Sequence, residues 1–109
     1  MTSNHVVYNL TIQIDKTAEQ AWLSEIKKNI IPAVLDGEII LSIQLNRIQN
    51  PAPDEEPNYA LQFLFPSVEI FNDRKLERLS ILIKMMDASF AGKYVYFGTM
   101  MEVLHYSSK

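Results

Sequence analysis

Phe90-Ala91-Gly92-Lys93-Tyr94-Val95-Tyr96-Phe97 changes the period of the chain. Behind it, a helical region capped by Ser67 reaches about Ser89; ahead of it, Lys93 to Leu104 alternates, with Val95, Phe97, Thr99 and Met101 against Tyr94, Tyr96, Gly98 and Met100. A helix followed by a closing strand needs partners upstream, and the chain supplies them. Val6 to Ile14 alternates Tyr8, Leu10, Ile12 and Ile14 with Val7, Asn9, Thr11 and Gln13, the period of two of a strand with one apolar face. Ile39 to Ile48 and Asn58 to Phe65 alternate likewise. Between the first two strands, Ala18, Ala21, Trp22, Ile26, Ile30, Ala33 and Val34 recur at three and four, the stripe of an amphipathic helix.

Finer expectations follow. Thr17 and Gln20 have the spacing of a capping box, Pro32 predicts a kink near Ile31, and Gly37 is the expected end of the first helix. Asn72-Asp73 is a place where the second helical region can break. The stretch Gln49 to Pro57, with three prolines and Asp54-Glu55-Glu56, reads as a loop between strands. The order strand–helix–strand–strand–helix–strand is a split βαβ unit, whose crossovers share one hand and place both helices on one face of an antiparallel sheet ordered 4-1-3-2.

The 109 residues fit one domain over 1–109, with a core large enough to hold without staples. The lack of cysteine removes disulfides, thiolate metal sites and a cysteine nucleophile. Ten basic and thirteen acidic residues leave a net charge of −3, which gives no field for a polyphosphate, so nucleic acid is not an expected partner. No basic leader and no long apolar run is present, so no membrane partner and a cytoplasmic location are expected.

One sheet face lies away from both helices. It is expected to show Asn9, Thr11, Gln13, Ser42, Gln44, Asn46, Gln62, Tyr94, Tyr96 and Met100. Solvated strand faces commonly carry Lys and Glu, whereas amides, hydroxyls and tyrosines suit a surface buried between two sheets. A homodimer through this face is therefore expected. Within it, Asn9, Thr11, Gln13, Gln44, Gln62, Tyr94 and Tyr96 are the candidate ligand-binding residues, offering donors and acceptors to a small apolar or aromatic molecule but no strong base. Leu79, Ile81, Leu82, Ile83, Met85 and Met86 also spread beyond the stripe one sheet needs, and either a second subunit or the chain itself must cover them.

Tyr8-Asn9-Leu10-Thr11, the helix from Trp22 to Ile31-Pro32-Ala33-Val34-Leu35, Tyr59-Ala60-Leu61-Gln62-Phe63, and Gly92-Lys93-Tyr94-Val95 with Phe97 and Thr99-Met100-Met101-Glu102 resemble a bacterial family known only as a domain of unknown function. The resemblance covers almost the whole chain. It implies an α+β, ferredoxin-like fold similar to the dimeric α/β-barrel proteins, a superfamily that includes cofactor-independent monooxygenases and isomerases. In the family's pattern a His precedes the Ile-Pro of the first helix, a His and an Arg lie in the second helical region, and an Arg follows the Phe of the last strand. Here those positions hold Ile30, Met86, Ile83 and Gly98, so an activity resting on those groups would be lost.

No metal, cofactor or catalytic set is expected. His5 and His105 are placed at ends that point apart, and a zinc site wants three or four ligands. Asp54-Glu55-Glu56 lacks the alternating carboxylates and glycine of a calcium loop, and Gly37, Gly92 and Gly98 form no phosphate-binding run. Tyr8, Tyr59 and Phe63 invite comparison with RNA-recognition sheets, but fall on the helix side. The favoured reading is a non-catalytic homodimer acting by assembly or by holding a small molecule between sheets. The alternative is a cofactor-independent monooxygenase or isomerase of the dimeric barrel type, with Tyr94, Tyr96 and Asn9 positioning an acidic substrate.

Overall fold

Strand β1 spans Val6–Ile14, the segment its alternation marks. In the computed structural model, which describes residues 4–49 and 55–109, it pairs antiparallel with β3 (Asn58–Phe65) on one side and β4 (Tyr94–Glu102) on the other. Strand β2 (Ser42–Ile48) pairs with β3, giving the order β2-β3-β1-β4. This is the expected 4-1-3-2 read from the opposite edge. Pro51, Pro53 and Asp54 of the β2–β3 connection lie outside the described residues.

Val6, Leu10, Ile12 and Ile14 of β1 and Tyr59, Leu61, Phe63 and Phe65 of β3 are buried beneath the helices. Trp22, Ile26, Ile30 and Val34 close over them from the first helical segment, Phe71, Leu82, Met86 and Phe90 from the second. Each large side chain so removed from water contributes about 1.5–3 kcal/mol, and among the described residues no polar one shares the core. The apolar surplus of the second helix is largely absorbed by the chain itself. Leu79, Ile81 and Met85 are partly buried against this cluster.

The first helical segment departs from a straight rod. Asp15 accepts from the Thr17 backbone N–H at 2.8 Å and the Thr17 hydroxyl at 2.6 Å, opening a 3₁₀ turn over Lys16–Ala18. The expected Thr17–Gln20 capping box does not form, because Asp15 takes the capping position and Thr17 lies inside the 3₁₀ turn. Helix α1 (Glu19–Glu25) runs into a π-helical turn, Ile26–Ile30, and then α2 (Ile31–Val34). Pro32 explains the turn. Its ring crowds the carbonyl four residues back and it has no N–H to offer, so the backbone widens and Ile31 N–H bonds Ile26 C=O instead.

The helix ends at Val34, where Leu35 becomes extended, and not at Gly37. Ile39 N–H then bonds Asp36 C=O at 3.0 Å, tucking Ile39 and Ile40 into the core as turn residues, so β2 starts at Ser42 and not at Ile39. Helix α3 (Val68–Phe90) is continuous. Ser67 caps it, accepting from Ile70 N–H at 3.1 Å, and Asn72 and Asp73 are exposed on its surface and do not break it. The left-handed residue is Gly92, with φ of 77°, in the turn that hands α3 to β4. Among the described residues no helix is long and apolar enough to cross a membrane.

Candidate functional site: the uncovered sheet face

The registers arrange this face as four rows of side chains running across the strands from β2 to β4. The first row is Ser42, Leu64, Val7 and Met101; the second is Gln44, Gln62, Asn9 and Thr99. The third is Asn46, Ala60, Thr11 and Phe97; the fourth is Ile48, Asn58, Gln13 and Val95. None of these side chains carries a charge, although 21% of the chain is charged. Three of the four β4 members are large and solvent-facing, Val95 at 64% exposure, Phe97 at 63% and Met101 at 41%.

The structure corrects the sequence reading of β4. Tyr94, Tyr96 and Met100 pair with Ile14, Ile12 and Tyr8, so they stand on the helix side, and Val95, Phe97 and Met101 occupy the uncovered face. The physical reason is that both faces of β4 are apolar or aromatic, which leaves its alternation without a sign. Of the seven candidate ligand residues, Asn9, Thr11, Gln13, Gln44 and Gln62 therefore lie together, and Tyr94 and Tyr96 lie behind the sheet. The set Tyr94, Tyr96 and Asn9 does not converge on one pocket. The residues that alternation misses are Val95, Phe97 and Met101, which only the β1–β4 register reveals.

Short polar contacts knit part of the face. Gln44 Nε2 donates to Asn46 Oδ1 at 2.9 Å, Asn46 Nδ2 donates to Gln62 Oε1 at 3.5 Å, and Asn9 Nδ2 donates to Thr11 Oγ1 at 3.0 Å. Asn9 Oδ1 is enclosed and receives no donor among the described residues. Such an acceptor costs the chain about 1–3 kcal/mol until something meets it.

Two concavities flank the second row. The larger, about 680 Å³, has Val7, Gln44, Gln62 and Leu64 beneath it and Val103 and Tyr106 of the C-terminal segment as a wall. Val103 N–H donates to His5 C=O at 2.8 Å, which anchors that wall to β1. The smaller, about 370 Å³, lies over Thr11, Gln13, Asn58 and Phe97. Amides and hydroxyls set among apolar bodies can orient an uncharged molecule, but none of the sixteen side chains in these rows can take a proton as a base.

Behind the sheet, Tyr94 donates its hydroxyl to Asp87 of α3 at 2.7 Å and stacks on Tyr96, with ring centroids 6.0 Å apart. Burial, and then the bond to Asp87, push the Tyr94 phenol well above its ordinary pKa. Tyr8 is also raised, chiefly by burial and then by Tyr96. Its ring packs on Phe71, centroids 5.4 Å apart, with the Lys75 ammonium 5.8 Å from its centre.

His5 and His105 do not point apart as expected. The Val6–Glu102 pairing puts the start of β1 beside the end of β4, because antiparallel neighbours bring opposite chain ends together. Even so, among the described residues no three His, Cys, Asp or Glu side chains gather as metal ligands. Of the acidic run, Asp54 lies outside the described residues and Glu56 accepts from the Lys16 backbone N–H at 2.6 Å, closing the turn after β1.

The fold is shared with several solved structures. A dimeric ferredoxin-like protein from an uncultured marine organism is 9% identical over 96% of this chain and 100% of its own, with a TM-score of 0.65. A protein assigned to the antibiotic biosynthesis monooxygenases, from Nitrosomonas europaea, is 9% identical over 99% and 98%, with a TM-score of 0.68. SnoaB, a cofactor-independent oxygenase from Streptomyces nogalater, is 7% identical over 98% and 100%, with a TM-score of 0.53. At such identities the likeness establishes the ferredoxin-like α+β fold and leaves activity open. No curated protein matches the sequence. A family pattern does match residues 5–104, nearly the full length, and the chain therefore belongs to the family described as a domain of unknown function, DUF4286.

Proposed function

We propose that this chain is a single ferredoxin-like domain that works in the cytoplasm as a homodimer, stacking its uncovered sheet face on that of a second copy, and that it is a binding module and not an enzyme. The observation that carries the reading is the sixteen-position face without one charge. Exposed strands ordinarily use charge to stay apart, and an uncharged face bearing Phe97, Val95 and Met101 is matched to burial. In the pair, the larger concavity becomes a chamber between sheets. Gln44, Gln62 and Asn9, with Thr11 and Gln13 further along, supply hydrogen bonds to a small uncharged apolar or aromatic ligand, and Val7, Leu64 and Tyr106 supply its apolar contacts.

The lack of a base in the four rows of this face, and the separation of Asn9 from Tyr94 and Tyr96 by the thickness of the sheet, weigh against the oxygenase-like alternative. Native mass spectrometry of the purified chain tests the reading. A dimer is expected that retains or takes up a small uncharged aromatic compound, with uptake lost in Gln62→Leu. Cofactor-free turnover of a quinol that Tyr96→Phe abolishes would overturn it in favour of the enzyme.

A further inference from the structure

We infer that the C-terminal segment from Val103 to Tyr106 is a clasp, which lays Leu104 and Tyr106 against the second copy, so that the chamber between the sheets is closed on one side by a piece of chain that touches both subunits. This rests on the stacked-dimer reading and concerns the part of the chain beyond the sheet.

Strand β4 ends at Glu102, and residues 103–109 form neither helix nor strand. Val103 N–H holds the start of the segment to His5 C=O at 2.8 Å. From there the chain leans inward over the uncovered face and not outward past the edge of the sheet. Tyr106 borders the larger concavity together with Ser42 and Gln44 of β2, although β2 and β4 are opposite edges. The segment therefore stands on the surface that the second sheet covers. Stacked sheets lie about 10 Å apart, a gap that one layer of side chains from each normally fills, so a peptide segment resting on the first sheet reaches the second.

The composition of the segment suits that contact. Leu104 is 82% exposed and Tyr106 81%, the most exposed large apolar side chains among the described residues. Between Glu102 and Lys109 the segment carries no formal charge with His105 neutral, as the sixteen positions of the face carry none. Single exposed apolar side chains are ordinary on a protein surface, but these two lie within three residues of each other at the border of an uncharged face and extend it. The occupant that already faces this surface in the stacked pair is a second copy of the chain, and the clasp meets it without any further partner. Tyrosine fits the rim of such a contact, with its ring buried and its hydroxyl in water. Leu76 is the contrast: 76% exposed, it lies on α3 on the other side of the sheet and continues no uncharged face.

The dimer dissociation constant, measured by sedimentation for the wild type, Leu104→Ser, Tyr106→Ser, Leu76→Ser and a chain ending at Glu102, tests the clasp. Leu104→Ser and Tyr106→Ser are each expected to weaken the dimer roughly tenfold and the shortened chain roughly a hundredfold, the loss of one and of two apolar side chains from an interface. Leu76→Ser is expected to leave it unchanged. A shortened chain that dimerises as tightly as the wild type overturns the clasp, and so does one that dimerises more tightly, which would make the segment a prop holding the sheets apart; in both cases the wild-type dimer stands. A wild type that stays monomeric overturns the dimer reading itself and the clasp with it. Residues 103–109 contribute nothing to the buried core, so the shortened chain is expected to fold. Should it lose its circular-dichroism signature, the full chain with the photoreactive benzoylphenylalanine in place of Tyr106 decides: irradiation is expected to join two chains, and cross-links confined to single chains contradict the clasp.

Discussion

Tyr8 lies across Gly98 of the neighbouring strand, its hydroxyl occupying the place where a side chain at 98 would begin. An ideal Cβ there would also stand 2.9 Å from Tyr8 Cε1. The ring is held in that pose by Phe71 and Lys75 from α3, so the glycine is what lets α3 and β4 share one aromatic wedge. Gly98→Ala is therefore expected to lower stability by about 1–3 kcal/mol in urea unfolding. Tyr8→Ala costs stability by itself but makes Gly98→Ala nearly neutral; additive losses in the double variant would contradict the contact.

Tyr59 is 1% exposed, yet its hydroxyl reaches the Glu19 carboxylate while the Arg47 guanidinium stands 5.7 Å above its ring. It ties β3 to the start of α1 and to β2. Tyr59→Phe keeps the ring and removes the bond, and is expected to cost about 1–2 kcal/mol. Loss of a few tenths only would show that Glu19 is as well served by water.

Alkaline stability follows from three phenols. Tyr94, Tyr8 and Tyr59 all ionise above the ordinary phenol value, burial being the first cause in each, with bonds to Asp87 and Glu19 adding to it for Tyr94 and Tyr59. A group whose folded pKa is raised contributes stability in full below its unfolded pKa, about 10 for tyrosine, and loses it as pH rises through the folded value. The urea midpoint is expected to fall once pH passes about 10, and Tyr94→Phe to make that fall shallower. A midpoint independent of pH across that window would contradict the assignment.

Much of this is legible in the chain. Val6–Ile14 and Asn58–Phe65 each have one distinctly more polar face, so their orientation follows from alternation, and with the sheet order it places Asn9, Thr11, Gln13, Gln44 and Gln62 together. β4 cannot be oriented that way, since Tyr94 and Tyr96 are as fit for an interior as Val95 and Phe97. The π turn is visible only as trouble at Pro32, because the sequence shows a missing donor but not how the backbone absorbs it. The Tyr8–Gly98 contact and the transverse rows depend on strand register, which no local pattern carries.

The orientation of β4 gives a paired prediction. Phe97 is 63% exposed on the uncovered face, and Tyr96 is 46% exposed on the helix side. Phe97→Glu is expected to leave the fold intact while weakening self-association roughly a hundredfold, since a carboxylate buried between sheets finds no partner. Tyr96→Glu, one residue away, is expected to leave association unchanged. Equal effects at the two positions would contradict the assignment of faces.

Sedimentation equilibrium of the unmodified chain over a wide concentration range tests the central claim most directly. The account predicts a mass twice the 12.6 kDa of one chain, collapsing to the single-chain value in Phe97→Glu at the same concentration. A wild-type chain that sediments at 12.6 kDa at every concentration would contradict it.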